Sequence, residues 1–360
     1  MPGKKQFFGG KLKVVELASV LAGPSVGLFF AELGAEVIKI ENKKTGGDVT
    51  RSWKLPSENK DSNVSAYFLA ANFGKKHLFL DLTDEKDHKK CMDLMRKADV
   101  VITNYKKGDD KKLKLDYARV KKLNPAVIYV SIIGFSESDE RVAYDLILQA
   151  ESGFMSMNGT AASGPLKMPV ALIDVLAAHQ AKEAVLLALL KRQKTKKGSR
   201  IVVSLFDTAV SSLANQATNW LVAGHLPQRT GSLHPNIAPY GEIFQTKDGH
   251  LVTFAIGSDK QFADLCRILE LEAVPLNKDY RNNQLRVRNR KKLFEELDAA
   301  IKNKTLSYLD KHCRAGQVPF AKIRNLKEVF ELAAAQQLTR RIKVKTGTFN
   351  TLTSFPVKIG

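Results

Sequence analysis

Through its first 130 residues the chain repeats one pattern: a short β-type run, then a longer stretch with helical spacing. Residues 14–17 read as a strand. A helix should follow, with Pro24 at its first position and Gly34 at its end. Residues 37–40 and 77–80 are the next strands, and 84–97 reads as a helix capped by Thr83. Residues 100–103 form a strand, 116–123 a helix and 127–130 another strand. This β-α-β-α order predicts an α/β fold with a mainly parallel sheet and helices on its faces.

The rest of the chain changes character. A helix is expected over 144–156, then a loop through Pro169. Residues 174–191 read as an amphipathic helix with Ala178, Ala181, Val185 and Ala188 on one face. The basic run 191–200 reads as a surface loop, 201–203 as a strand and 205–222 as a helix. Residues 224–239 hold two glycines and three prolines in 16 positions, the mark of a linker. A hairpin over 240–254 should turn at Lys247-Asp248-Gly249, with helices near 261–269 and 289–302 and β-structure over 343–359. A chain of 360 residues suits two domains.

Charge narrows the partners. There are 57 Lys and Arg against 37 Asp and Glu, a formal net charge of +20, which attracts polyanions or a phosphorylated small molecule. Seven lysines fall within 106–122, but few aromatics interleave them and no zinc-finger or RNA-recognition signature appears. Nucleic acid is therefore not expected as a partner. The cysteines Cys91, Cys266 and Cys313 are odd in number and far apart, which fits a reducing cytoplasmic compartment. No histidine spacing suits a metal, and the first ten residues carry no apolar signal core. The apolar stretch 175–190 carries His179, Lys182 and Glu183, so no membrane span is expected.

The turn Leu17-Ala18-Ser19-Val20-Leu21-Ala22-Gly23-Pro24 sits where a dinucleotide fold binds its ligand, and Glu41 ends the second strand. GxGxxG is absent, and bulky Leu21 and rigid Pro24 argue against a pyrophosphate of NAD there. Asp174 opens the long helix after an apolar run. On local pattern it suits an N-cap first, the functional reading is a carboxylate nucleophile, and the two roles are compatible. His179 is a lone helical histidine, and Ser204, Ser211 and Ser212 lack the context of a hydrolase nucleophile.

With these blocks in view, the chain resembles the class III CoA transferases, which include formyl-CoA transferase, carnitine CoA-transferase and the bile-acid-inducible protein F type. The carrying segments are LASVLAGPSVG (17–27), LGAEVIKIE (33–41), GDVTRSW (47–53), ANFGKK (71–76), ADVVITNY (98–105), LNPAVIYV (123–130), YDLILQAESG (144–153), the block around Ile173-Asp174, VSLFD (203–207) and HPNIAPY (234–240). They cover nearly the whole chain in order.

The resemblance implies a Rossmann-like large domain from both chain ends, an inserted smaller α+β domain and an interlocked homodimer. The expected division is 1–223 for the first part of the large domain, 224–239 for a linker, 240–330 for the small domain and 331–360 for the return. It also implies coenzyme A, or acyl-CoA, as substrate beside a free carboxylic acid, with no permanently bound cofactor. Asp174 matches the nucleophile. Ala22, Asn42, Lys43, Leu80, Asp81, Thr83, Asn104, Tyr105, Lys112, Arg141 and Tyr144 match positions along the CoA or at the active site. Three departures stand out: Leu21 where formyl-CoA transferase has Gln, Thr83 where a Lys is known, and Lys112 where Arg is usual.

The implied chemistry is covalent transfer through Asp174. A racemase of α-methylacyl-CoA on the same fold would need a second acid/base facing Asp174. Racemases that resemble this chain carry His at the Tyr144 position, and a phenol is a poor base at neutral pH. A non-catalytic polyanion-binding protein on this scaffold is the other alternative, and retention of Asp174 counts against it.

Overall fold

The computed structural model describes residues 7–344 and 346–357. Positions 345, 358 and 359 of the expected β-segment 343–359 lie outside the described residues, as do the first six of the N-terminal stretch. The chain forms two compact units, one of residues 1–156, 167–227 and 337–360, the other of residues 157–166 and 228–336.

The first unit is built on β1 (Lys13–Leu17), four of whose five residues are buried. After it come α1 (Ala22–Glu32), β2 (Glu36–Asn42), α2 (Ala66–Asn72), β3 (Lys76–Leu80), α3 (Glu85–Arg96) and β4 (Val100–Thr103). Then follow α4 (Asp109–Lys112), α5 (Tyr117–Leu123), β5 (Ile128–Ile133), α6 (Asp145–Glu151) and α7 (Phe154–Met157). The two-residue strands β6 (Gly159–Thr160) and β7 (Gly164–Pro165) belong to the second unit. The first resumes with α8 (Leu172–Thr195), β8 (Ser199–Ser204), α9 (Leu205–Ser211) and α10 (Asn215–Ala223).

Six strands pair in the order β3-β2-β1-β4-β5-β8, every neighbour parallel. A parallel sheet covered on both faces needs strands that are apolar throughout, and Val100–Thr103 is buried at all four positions. The winding reverses at β1, with β2 on one side and β4 on the other. Such a switch point opens a crevice at the carboxyl ends of those strands.

Helix α1 lies close against β1 because two glycines allow it. A Cβ on Gly23 would stand 2.3 Å from the Ala18 Cβ, and one on Gly27 would stand 1.8 Å from Glu16 Oε2. Helix α8 packs on α1 and α9. Its buried residues include Ala177, Ala178, Ala181, Val185 and Ala188, so the face expected to be apolar is the packed one.

Several helix ends differ from the expected ones. Helix α1 starts at Ala22, two residues before Pro24. Proline is tolerated there because the first turn lacks intrahelical acceptors for its N–H groups. Asp84, not Thr83, caps α3 by accepting the N–H of Asp87 at 2.9 Å, while the Thr83 hydroxyl donates to Asp81 Oδ1 at 2.7 Å. Asp174 is not an N-cap either: α8 begins at Leu172, and Ala171 holds the cap position with no capping side chain. The helix expected over 144–156 is split near Gly153, whose φ is +92°. The one over 205–222 is split near Ala214, at φ +49°.

The second unit carries the expected hairpin, β9 (Tyr240–Gln245) against β10 (Leu251–Ala255), with β11 (Phe320–Lys322) on the other edge of β10. Helices α11 (Asp259–Ile268), α12 (Asn283–Arg288), α13 (Arg290–Ile301) and α14 (Leu306–Ala315) supply its other elements. Phe244, Val252, Phe262, Leu265, Leu297 and Leu309 form its core. Arg286 is 1 % exposed and donates to the carbonyls of Ala238 and Tyr280 and to Asp259, fixing the end of the proline-rich segment. Helices α15 (Leu326–Glu331) and α16 (Ala333–Gln336) lead back to the first unit, whose last strands are the hairpin β12 (Thr339–Val344) and β13 (Gly347–Leu352). Among the described residues no helix is long and apolar enough to cross a membrane.

Candidate active site

The turn after β1 and the segment after β4 meet at the switch point. Asn104 Oδ1 accepts the N–H of Ser19 at 3.0 Å, and Asn104 Nδ2 donates to the Ser19 carbonyl at 2.8 Å. One side chain thus ties the two strand ends together in both directions. The next residue, Val20, sits at φ +70°. For a β-branched residue this is strained, on the order of 1–3 kcal/mol. Leu21 then occupies the N-cap of α1 without a capping side chain. The first-turn amides of α1 therefore have neither a helical acceptor nor a side-chain cap.

Beneath the turn lies a cluster of buried charges. Lys39 Nζ contacts Glu16 Oε1 at 2.9 Å, Asp48 Oδ2 at 3.0 Å and the Ala18 carbonyl at 2.6 Å. Lys75 Nζ donates to Glu16 Oε2 at 2.7 Å, Asn72 Oδ1 at 3.0 Å and the Pro24 carbonyl at 2.8 Å. Two cations face two carboxylates, so the cluster is balanced. Burial pulls the Lys75 ammonium below its ordinary range, whereas Glu16 and Asp48 overcome burial at Lys39 and hold its proton. Nearby, burial is outweighed at Glu41 by Arg51, His77 and the Asp48 amide, which hold its carboxyl far below the usual range.

Asp174 is the third residue of α8 and is 8 % exposed. The missing cap of that helix is supplied from α6: Asp145 Oδ1 accepts the N–H of Ile173 at 2.7 Å and of Asp174 at 3.3 Å. Gln149 fixes Asp145, donating to its Oδ2, and accepts the Met168 N–H at 2.7 Å. Burial, and then the Asp145 charge, push the Asp174 carboxyl up to about 7. The half-buried Tyr67 phenol is raised by burial and then by the same two carboxylates.

A cavity of about 470 Å³ runs along these elements and contains Asp174. Of the residues expected at the site, Ala22, Asn104, Tyr105, Arg141 and Tyr144 also line it. A second cavity, about 330 Å³, lies at the ends of β1 to β3 and is lined by Asn42, Asp81, Thr83 and, again, Tyr105. Lys43, Leu80 and Lys112 line neither cavity. Leu80 is buried in the core, and Lys112 points outward and pairs with Asp109.

Other cations take those places. Lys44, not Lys43, lines the second cavity; its Nζ lies 2.6 Å from Thr83 Oγ1 and 2.9 Å from Asp81 Oδ2. Asn42 sets this choice by accepting the Lys44 N–H and starting a short 3-10 turn. The first cavity is lined by Lys106, Lys107, Lys111 and Arg200 as well as Arg141. Arg200 lies in strand β8 and pairs with Glu137, not in the surface loop expected over 191–200. Arg141 lies 3.7 Å over the Phe135 ring and pairs with Asp139 at 2.9 Å. Among the described residues no group of His, Cys, Asp or Glu is arranged to hold a metal ion.

A doubly wound parallel sheet, a buried carboxylate at a helix start and a cation-lined crevice are the parts of a binding site for an anionic ligand. Comparison with known proteins names the family. The family model described as CoA-transferase family III matches residues 11–359, and the chain belongs to that family. A succinate–glutarate CoA-transferase of Agrobacterium fabrum is 37% identical over 340 residues, 92% of this chain and 83% of that protein. The human succinyl-CoA:glutarate CoA-transferase is 34% identical, over 89% of this chain and 72% of its own. A CAIB/BAIF family protein from Brucella suis superimposes with a TM-score of 0.84 at 35% identity, covering 97% of this chain and 91% of that one. The protein is thus a class III CoA-transferase, an enzyme that moves CoA between carboxylic acids.

Proposed function

We propose that the protein transfers CoA between short dicarboxylic acids through a covalent intermediate on Asp174. The observation that carries this reading is the carboxylate of Asp174, buried yet lining the cation-lined cavity. The substrate class rests on the relatives named for succinate and glutarate. An Asp174 oxygen attacks the thioester carbonyl, the C–S bond breaks, and a mixed anhydride and CoA thiolate result. The thiolate attacks the Asp174 carbonyl carbon, releasing the donor carboxylate and leaving an aspartyl-CoA thioester. The acceptor carboxylate attacks that thioester and expels the thiolate, forming a second anhydride. Attack by the thiolate on the acceptor acyl carbon frees the Asp174 carboxylate. No step consumes a proton, but water must be kept out, because it would hydrolyse either anhydride.

In this reading CoA lies along the two cavities. Ser19 and Tyr105 line both, Asn104 holds the Ser19 backbone beside them, and Lys44, Lys106, Lys107, Lys111, Arg141 and Arg200 meet the phosphates. CoA comes and goes as substrate, with no resident cofactor. The large domain formed by both chain ends and the inserted smaller one are supported by the two compact units. The interlocked homodimer is carried over from the family resemblance. A cytoplasmic or similarly reducing compartment is supported by three free, buried cysteines. The test is transfer from succinyl-CoA to glutarate, followed by mass spectrometry. Wild-type protein should form glutaryl-CoA and Asp174→Ala should not, while still binding CoA. Transfer by the variant at the wild-type rate would remove Asp174 from the nucleophile role.

A further inference from the structure

The buried charges under the turn are more than neutral filling, because of what they hold. Lys39 Nζ grips the Ala18 carbonyl and Lys75 Nζ the Pro24 carbonyl. Asp48 Oδ1 accepts the Val20 N–H at 3.4 Å, and Asn104 holds both backbone groups of Ser19. Every grip falls on backbone between Ala18 and Pro24, the stretch that carries Val20 at φ +70° and the uncapped start of α1. Leu21 and Ala22 of this stretch line the same cavity as Asp174.

We infer that Lys75, Lys39, Glu16 and Asp48 form a clamp that positions the Ala18–Pro24 turn, and that Lys75 is a positioning residue for the transfer reaction. The inference rests on the proposed chemistry at Asp174. Lys75 lines neither cavity, and its side chain is wholly buried. It acts only through Glu16, Asn72 and the Pro24 carbonyl. Its three contacts fix the first turn of α1 to β1 and α2, and Glu16 links it to Lys39, which holds the other end of the turn. A strained residue persists only where its surroundings over-determine it, and the clamp supplies that constraint at Val20.

The test uses Lys75→Met, which keeps length but removes the donors, and the charge-balanced pair Lys75→Met/Glu16→Gln. Steady-state kinetics are normalised to folded protein well below the melting temperature. The clamp predicts that kcat falls at least tenfold while KM for the acyl-CoA changes less than twofold. It further predicts that adding Val20→Gly restores a large part of kcat, because glycine holds φ +70° without strain. A lowered melting temperature with unchanged kcat would overturn the inference, as would a loss of kcat that Val20→Gly does not relieve. Failure of both clamp variants to fold would make the cluster a stability element and overturn it as well. Asp174→Ala is assayed in parallel. Transfer persisting there, with the clamp variants slow and rescued, would reject the nucleophile and leave the clamp standing.

Discussion

Asp145 Oδ1 accepts the backbone N–H of Asp174 at 3.3 Å and that of Ile173 at 2.7 Å. A carboxylate at the start of α6 therefore caps α8. It steadies the segment that carries Asp174 and places a second negative charge beside it. Burial and this charge both favour the protonated form of Asp174, so its ionisation falls near neutral pH.

The rate should therefore depend on pH. Below about 7 the ionised, nucleophilic fraction of Asp174 falls tenfold per pH unit, so kcat/KM should drop about 100-fold by pH 5. Asp145→Asn keeps an oxygen for the two N–H groups and removes the charge. Its acid limb should move to lower pH, while Asp145→Ala should instead lose about 1 kcal/mol of stability with the cap. A pH–rate profile of Asp145→Asn that overlays wild type would contradict the role given to its charge.

Stability carries the same signature with its own sign. The folded-state value for Asp174 is raised above the ordinary 3.8. Between roughly pH 4 and 7 the folded protein then holds a proton that the unfolded chain has released. Stability from this group is present below pH 4 and is lost as pH rises through about 7. Asp174→Asn should therefore be inactive yet more stable than wild type at pH 8, by about 2–4 kcal/mol. In urea titrations the gap should close at pH 4; a gap independent of pH would contradict the raised value.

Asn104→Asp tests the tie between the strand ends. An aspartate still accepts the Ser19 N–H but has no donor for the Ser19 carbonyl. Loss of one such bond, at about 1 kcal/mol, should raise the KM for acyl-CoA roughly fivefold. An unchanged KM and CoA affinity would show that the crevice does not depend on this side chain.

Much of this was legible in the sequence, and the rest failed for local reasons. The strands were readable because parallel, doubly covered strands are apolar throughout, as at Val100–Thr103. Asp174 was readable as a carboxylate at a helix start, but the start itself was misplaced by two residues. Aspartate is a favoured cap, and the true capping group comes from Asp145, 29 residues earlier, which no local pattern reveals. Lys44 was missed in favour of Lys43 because a 3-10 turn set by Asn42 decides which lysine faces the cavity. Arg200 hid in a basic run that reads as loop but ends in a strand. Lys39 and Lys75 carry no mark of their role, since only folding brings them both to Glu16.

The transfer chemistry leaves the α-carbon untouched. Tyr144, which lines the cavity where a racemase would need a base, is 55% exposed and heads α6 with no capping bond. A 2-methylacyl-CoA incubated with the enzyme in heavy water should thus gain no deuterium at the α-carbon while CoA passes to an added acid. Exchange at catalytic rates with no transfer to any acid tried would replace the transferase with a racemase.

The covalent intermediate is the central claim, and it can be trapped. Enzyme incubated with succinyl-CoA and no acceptor should accumulate activated Asp174, either anhydride or CoA thioester. Hydroxylamine attack at the Asp174 carbonyl of either one expels succinate or CoA thiolate and converts the aspartyl carboxyl into a hydroxamate. Peptide mass spectrometry should then find the hydroxamate on Asp174 only when succinyl-CoA was present. An unmodified Asp174 peptide under turnover conditions, with transfer proceeding, would contradict the account.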